Sequence, residues 1–158
     1  SPGDEDGSNP DENEGDETDK KDPAKDGDGT KENPYTIAQA IGLTEGNEIW
    51  VKGYIVGSYM SSFDSFSPVT GSKACLINLG LADSSQEKSY ENTFPIDISN
   101  DESTLGIQKT LNLYKNPTNL GKELIIQGDI GNWWNYSNLT GITNLQQVFL
   151  EGVEIAKK

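Results

Sequence analysis

Histidine and arginine are both missing from this 158-residue chain, and cysteine and methionine occur once each. Without histidine there is no Ser-His-Asp or Cys-His arrangement, and no histidine-ligated metal or facial triad. Cys75 has no second cysteine to pair with, so an internal disulfide and a thiolate zinc cluster are excluded. With no imidazole base nearby it reads as a small buried apolar residue in a strand-like run. Nowhere does the chain approach the ~20 consecutive apolar residues that span a bilayer. The Gly-Lys-Ser/Thr ending of a phosphate loop is absent after "GDGT", and no G-x-G-x-x-G lies between a strand and a helix. No cofactor is predicted.

Positive charge is scarce as well. Twelve lysines face twenty-six acids, for a net charge of −14. Residues 1–28 hold twelve of those acids, three lysines and a single apolar residue, Ala24. A segment with so little to bury cannot offset the entropy of ordering, so 1–28 reads as a disordered acidic tether. Residues 29–158, with nine lysines against fourteen acids, read as one domain with one core.

What is present is an alternating, glycine-punctuated β pattern. Thr36-x-x-Gln39 is a capping-box spacing and predicts a short helix from about Ile37 to Leu43. "EIWVKGYIVGSYM" (48–60) is the clearest strand. Ile49, Val51, Gly53 and Ile55 share one face; Trp50, Lys52 and Tyr54 share the other. Its glycines predict a bent strand able to serve both halves of a small barrel. Further strands are predicted at 73–85, at 92–99 with Pro95 at an edge or bulge, at 122–134 with a mid-strand Gly128, and within 142–155 after a turn-rich "NYSNLTG". Between the third and fourth, residues 100–121 change to helical period, with Asp101 as N-cap, Ile107, Leu111 and Tyr114 on one face, and Asn116-Pro117 as terminator. This order predicts a mainly β, OB-fold-like five-stranded barrel, with a helix between strands three and four and a short N-terminal helix.

"GDGTKENPYTIAQAI", "WVKGYIVG", "LADSS" and "KNPTNLGKELIIQGDI" together resemble an uncharacterised family of OB-like domains in Bacteroidetes surface lipoproteins, over roughly Gly27 to Gly152. The stretch "NWWNYSNLTGITNL" after Gly131 departs from that pattern by its wealth of aromatics and asparagine. The opening "SPGDEDG" resembles the start of a mature lipoprotein just after its lipidated cysteine. The resemblance therefore implies a tethered protein at the cell surface or outer membrane, facing outward. Its membrane contact would come only through an N-terminal lipid anchor outside the chain. It implies no particular activity.

Candidate chemistry is thin. Asp83, Glu87, Glu91, Asp97, Asp101 and Glu102 are the carboxylates that could form a glycosidase pair, but they lie in polar, turn-like stretches where solvated surface is the default. "DGDGTKE" alternates oxygen donors, yet counting from Asp26 puts Lys31 and Ile37 where an EF-hand needs Gly and Glu. No metal site is assigned. "NYS" and "NLT" match the glycosylation acceptor pattern and indicate an exposed loop at most.

The aromatics stand out instead. Neighbouring side chains on a strand point to opposite faces, so only one of Trp133 and Trp134 can enter a simple core. Continuing the phase of Leu124 and Ile126 puts Ile130 and Trp134 inside and Trp133 outside. The candidate ligand-binding set is Trp50, Tyr54, Trp133, Trp134 and Tyr136, with Asn132 and Asn135 as polar partners. A covering helix or loop would remove this surface. Left open, flat rings flanked by amides suit sugar rings. Nucleic-acid binding rests on cationic side chains, and this domain has no arginine and a net negative charge. The sequence therefore favours a non-catalytic binding or accessory domain for a neutral glycan. The alternatives are a structural protein-interaction module and, by fold analogy, single-stranded nucleic-acid binding.

Overall fold

The computed structural model describes residues 25–60, 66–67, 73–99, 104–133 and 136–158; the side chains of residues 66–67, 74, 133 and 136–139 are outside that description. The expected disordered tether therefore lies almost wholly outside the described residues. Gly27, assigned to that tether from sequence, is already engaged: its N–H donates to Gln39 Oε1 at 2.8 Å and its carbonyl accepts from Gln39 Nε2 at 3.0 Å.

The first helix, α1 (Ile37–Ile41), begins as its capping box predicts. Thr36 Oγ1 accepts from the Gln39 N–H at 3.1 Å, and Gln39 Oε1 accepts from the Thr36 N–H at 3.0 Å. Two further N–H groups of the first turn are satisfied from outside. Ile37 and Ala38 donate to the two Asp83 oxygens at 2.8 and 3.0 Å. One side chain at the end of a strand thus positions the helix.

Strand β1 (Gly46–Tyr59) is the long bent strand. Its first half pairs antiparallel with β5 (Glu123–Trp133), from Gly46↔Ile130 to Tyr54↔Glu123. Its second half pairs with β3 (Asn78–Ala82), from Tyr54↔Ala82 to Gly57↔Gly80, with a register shift between Ile55 and Gly57. The two-residue β2 (Phe66–Ser67) pairs with its end. Gly53 is needed for close approach: a Cβ there would sit 2.7 Å from Ile37 Cγ1 and 3.1 Å from the Ala82 carbonyl oxygen. Helix α1 rests against the strand at that point.

From β3 the barrel continues to β4 (Phe94–Asp97), then β6 (Tyr136–Leu150), then β5 and back to β1. All contacts are antiparallel except the seam between β4 and β6, which is parallel and carries the single register pair Ile96↔Ile142. This is the closed five-stranded OB-like barrel. The two-residue β7 (Val153–Glu154) folds back on β6. Helix α2 (Leu105–Leu111) lies between β4 and β5 in sequence and sends Ile107 and Leu111 into the core. There they meet Val51, Ile55, Leu79, Ile96, Leu124 and Ile126, all buried. Each such aliphatic side chain contributes about 1.5–3 kcal/mol relative to exposure. Cys75 is buried in the same core.

Several local expectations are corrected. Residues 73–76 form a 3-10 turn rather than the start of a strand. The helix ends at Leu111, before Tyr114, because Asn112 Nδ2 donates to the Gln108 carbonyl at 2.8 Å and closes the last turn. Its N-cap position is Thr104, and Asp101 lies outside the described residues. Pro95 is flanked on both sides, by β4's partners β3 and β6, rather than at a free edge; its missing N–H falls at the sparsely paired seam. The "NYSNLTG" turn is shorter than its composition suggests, since strand pairing resumes at Tyr136.

Candidate binding site

Of the seven residues picked out from sequence, the side chains of Trp50, Tyr54 and Asn132 are described, and Asn132 lies far from the other two. On β1, Trp50 and Tyr54 pair with Gln127 and Glu123 of β5, whereas Asn132 and Trp133 lie at the far end of that same strand. At about 3.4 Å per residue, Tyr54 is roughly 25–30 Å from Asn132 along the strand. Asn132 is exposed and pairs with Thr140; Trp133 pairs with Tyr136. Trp134 and Asn135, at the tip between them, lie outside the described residues, as do the side chains of Trp133 and Tyr136.

Trp50 points away from the barrel interior, as its alternation predicts, but it is not an open ring. It is only 6% exposed. Residues 29–35 run back across β1: the Trp50 N–H donates to the Gly29 carbonyl at 2.9 Å, and its own carbonyl accepts from the Tyr35 N–H at 2.9 Å. Phe149 lies beside the indole, with ring centroids 6.1 Å apart. Lys31 Nζ caps both rings, 5.7 Å from the Trp50 centroid and 4.9 Å from that of Phe149. The coverage weighed from sequence is supplied by the N-terminal segment. Tyr54 remains half-buried, next to the ion pair of exposed Lys52 and half-buried Glu123 at 3.6 Å.

An open cleft of about 180 Å³ does exist at the hairpin end of the barrel. Ile41 at the end of α1, Tyr59 at the end of β1, Tyr90 and Glu91 of the 3-10 turn Tyr90–Asn92, Thr93, Phe94, Pro95 and Thr140 line it. Thr140 is the cross-strand partner of Asn132, so the backbone of Trp133 begins one residue beyond the cleft wall. The cleft opens beside the seam where β4 and β6 share their single pairing.

The floor is rigidly wired. Tyr59 is 1% exposed and donates its hydroxyl to Thr93 Oγ1 at 2.7 Å; Thr93 Oγ1 donates to the Tyr90 carbonyl at 2.6 Å. Burial pushes the Tyr59 phenol far above the ordinary tyrosine range, so it stays a donor throughout the physiological range. The Tyr59 and Tyr90 rings meet edge to face, centroids 6.0 Å apart at 86°. This relay fixes the half-buried Tyr90 on the wall.

The model of a domain of unknown function, DUF6359, matches residues 35–151. The chain belongs to the DUF6359 family. The matched span takes in the barrel from the first helix to the end of β6, and with it every residue that lines the cleft. Among curated proteins, the domain is similar to the protein named Endonuclease YhcR of Bacillus subtilis (strain 168), at 32% identity over 117 residues. Those residues are 73% of this chain and 8% of that protein, so the domain spans less than a tenth of its relative's length. No solved structure matches.

The DUF6359 domain puts three of its six candidate carboxylates to local use. Asp83 holds the start of α1. Glu87 accepts from the Ser89 N–H at 3.0 Å, and Asp97 from the Ser99 N–H at 2.9 Å. Asp101 and Glu102 lie outside the described residues. Among the described carboxylates, Glu91 alone lines the cleft. In the calcium-like run, Asp28 Oδ1 accepts from the Thr30 hydroxyl at 2.7 Å and the Thr30 N–H at 3.2 Å, which holds its carboxyl below the usual range and shapes a turn. No group of three or more His, Cys, Asp or Glu converges on a metal-sized site among the described residues.

Sequence reasoning named Glu91 as a carboxylate and missed Tyr59, Tyr90, Phe94, Ile41 and Thr140. The one local signal was Tyr90, an isolated aromatic inside the polar run "SSQEKSYEN". The rest come from four separate segments and have no common sequence mark.

Proposed function

We propose that this DUF6359 domain is a non-catalytic binding module that recognises a carbohydrate free of negative charge, on a protein displayed at the outer cell surface by its acidic tether. The observation that carries the reading is the cleft: an aromatic wall, two threonines and, among the described residues, no cationic side chain, at the edge of the hairpin loop that OB folds commonly use for ligands. Its volume of about 180 Å³ suits a single sugar ring better than a larger ligand. The apolar face of the ring stacks on the half-buried Tyr90 while its hydroxyls exchange hydrogen bonds with Thr140 and Glu91.

The same lining argues against the other classes. Glycoside hydrolysis uses two carboxyl groups about 5–10 Å apart, and the described residues of the cleft offer one. Phosphate-bearing ligands meet Glu91 and a domain with nine lysines against fourteen acids. The relative's name describes a far larger protein, and its nuclease activity is not carried over to this domain.

The test is a panel of soluble oligosaccharides titrated by calorimetry against the wild type, Tyr90→Ala and Tyr54→Ala. Tyr90→Ala is expected to lose at least about tenfold in affinity (~1.4 kcal/mol), while Tyr54→Ala, in the middle of β1 and outside the cleft lining, binds as the wild type does. A folded wild type that binds no oligosaccharide, or a Tyr90→Ala variant of unchanged affinity, overturns the proposal.

A further inference from the structure

Resting on that carbohydrate reading, we infer that the cleft selects an amino sugar, a pyranose unit carrying a free ammonium group. Three features of the lining converge on a cation. Glu91 is exposed and is the sole charged residue among the eight described residues that line the cleft. Beside it stands Tyr90, whose ring meets Tyr59 edge to face. A carboxylate next to tyrosine rings is the combination that recognises alkylammonium groups, through ion pairing and the negative potential of the ring faces. Among the described residues, no lysine lines the cleft to neutralise Glu91 or to repel an incoming ammonium. The surrounding field has the same sign: the domain carries five more acids than lysines and is preceded by a segment with nine more. Such a field concentrates cations at a low-dielectric cleft.

The pyranose supplies what a bare ammonium does not. Ile41, 39% exposed, offers apolar surface to the ring's C–H face beside Tyr90, and Thr140 stands on the same wall. An N-acetylated sugar keeps those contacts and loses the charge.

Calorimetry at low salt with two tetrasaccharides of identical backbone, one of glucosamine and one of N-acetylglucosamine, isolates the charge. The glucosamine tetramer is expected to bind about tenfold more tightly, ~1.4 kcal/mol. Glu91→Gln should bring the two affinities together, with circular dichroism confirming the fold. Added salt should erode the preference in the wild type alone. Equal affinities in the wild type, or a preference for the acetylated form, overturn the amino-sugar inference and leave the carbohydrate reading standing. Tetralysine binding as tightly as the glucosamine tetramer overturns it too, by showing that charge is read without the sugar. If neither tetramer nor any other oligosaccharide binds the folded protein, both proposals fall together.

Discussion

Gly131 and Gly141 face each other across the β5–β6 ladder, yet they should respond oppositely to one added methyl group. At Gly131 a Cβ would stand 3.7 Å from Thr143 Oγ1, an ordinary contact. Replacing glycine by alanine there reduces the freedom of the unfolded chain, which stabilises by about 0.4–1 kcal/mol. At Gly141 the new Cβ would lie 2.7 Å from the Pro95 carbonyl oxygen, 3.1 Å from Pro95 Cβ and 3.3 Å from its carbonyl carbon. Reaching ordinary contact at 3.4 Å requires a backbone displacement of about 0.7 Å, because the obstacle is main chain rather than a flexible side chain. Overpacking of this kind costs about 1–3 kcal/mol, and the unfolded-state gain offsets only part of it. Gly131→Ala and Gly141→Ala should therefore differ by ~1–3 kcal/mol. With a urea m-value of about 2 kcal/mol/M, the two unfolding midpoints separate by about 0.5–1.5 M. The strain falls on the seam next to Ile96↔Ile142 and on Pro95, a wall of the cleft, so Gly141→Ala should also weaken ligand binding. Equal midpoints for the two variants would refute the close approach of β4 to β6 at this point.

Asp83→Ala removes the acceptor for two N–H groups of α1 and is expected to destabilise by ~1–2 kcal/mol in urea unfolding, with Asp83→Asn retaining part of the contact. Trp50→Ala should cost about 3–5 kcal/mol in the same assay while leaving oligosaccharide affinity in the folded fraction unchanged, because the indole is a packing group beneath residues 29–35. Asp129 accepts from the Glu48 N–H at 2.9 Å and from Asn144 Nδ2 at 3.1 Å, and the backbone donor above all holds its carboxyl below the ordinary range. A folded pKa below the unfolded one contributes stability that is complete above the ordinary Asp value of about 3.9 and is lost as pH falls through the depressed value. The urea midpoint of Asp129→Asn should accordingly vary less with acidification below about pH 4 than that of the wild type.

The barrel was readable from sequence because its signals are local. The alternation of β1, the mid-strand glycines at 53 and 128 and the Thr36–Gln39 box each specify geometry within a few residues, and each appears where it was expected. The site was not readable, because it depends on register and coverage. Trp50 has the outward phase of a ligand-binding ring, and only the return path of residues 29–35 decides that it is packed instead. Tyr54 and Asn132 look like parts of one aromatic surface until the β1–β5 pairing sets them at opposite ends. Tyr59 looks like the tail of a strand, and its role follows from a hydroxyl contact to Thr93, thirty-four residues away in the chain. Asp83 shows the converse: a carboxylate in a polar turn that resembles spare surface and in fact fastens a helix.

Tyr54 is paired at once with Ala82 on one side and Glu123 on the other, which makes the middle of β1 the keystone of the cylinder. No sector can peel away there without tearing two ladders together. Fraying should therefore start at the thinly stitched join of β4 and β6, and amide protons near Tyr54 should be the last to trade with solvent. The region next to the proposed ligand cleft is the part of the wall with most freedom to breathe, while the opposite flank stays shut.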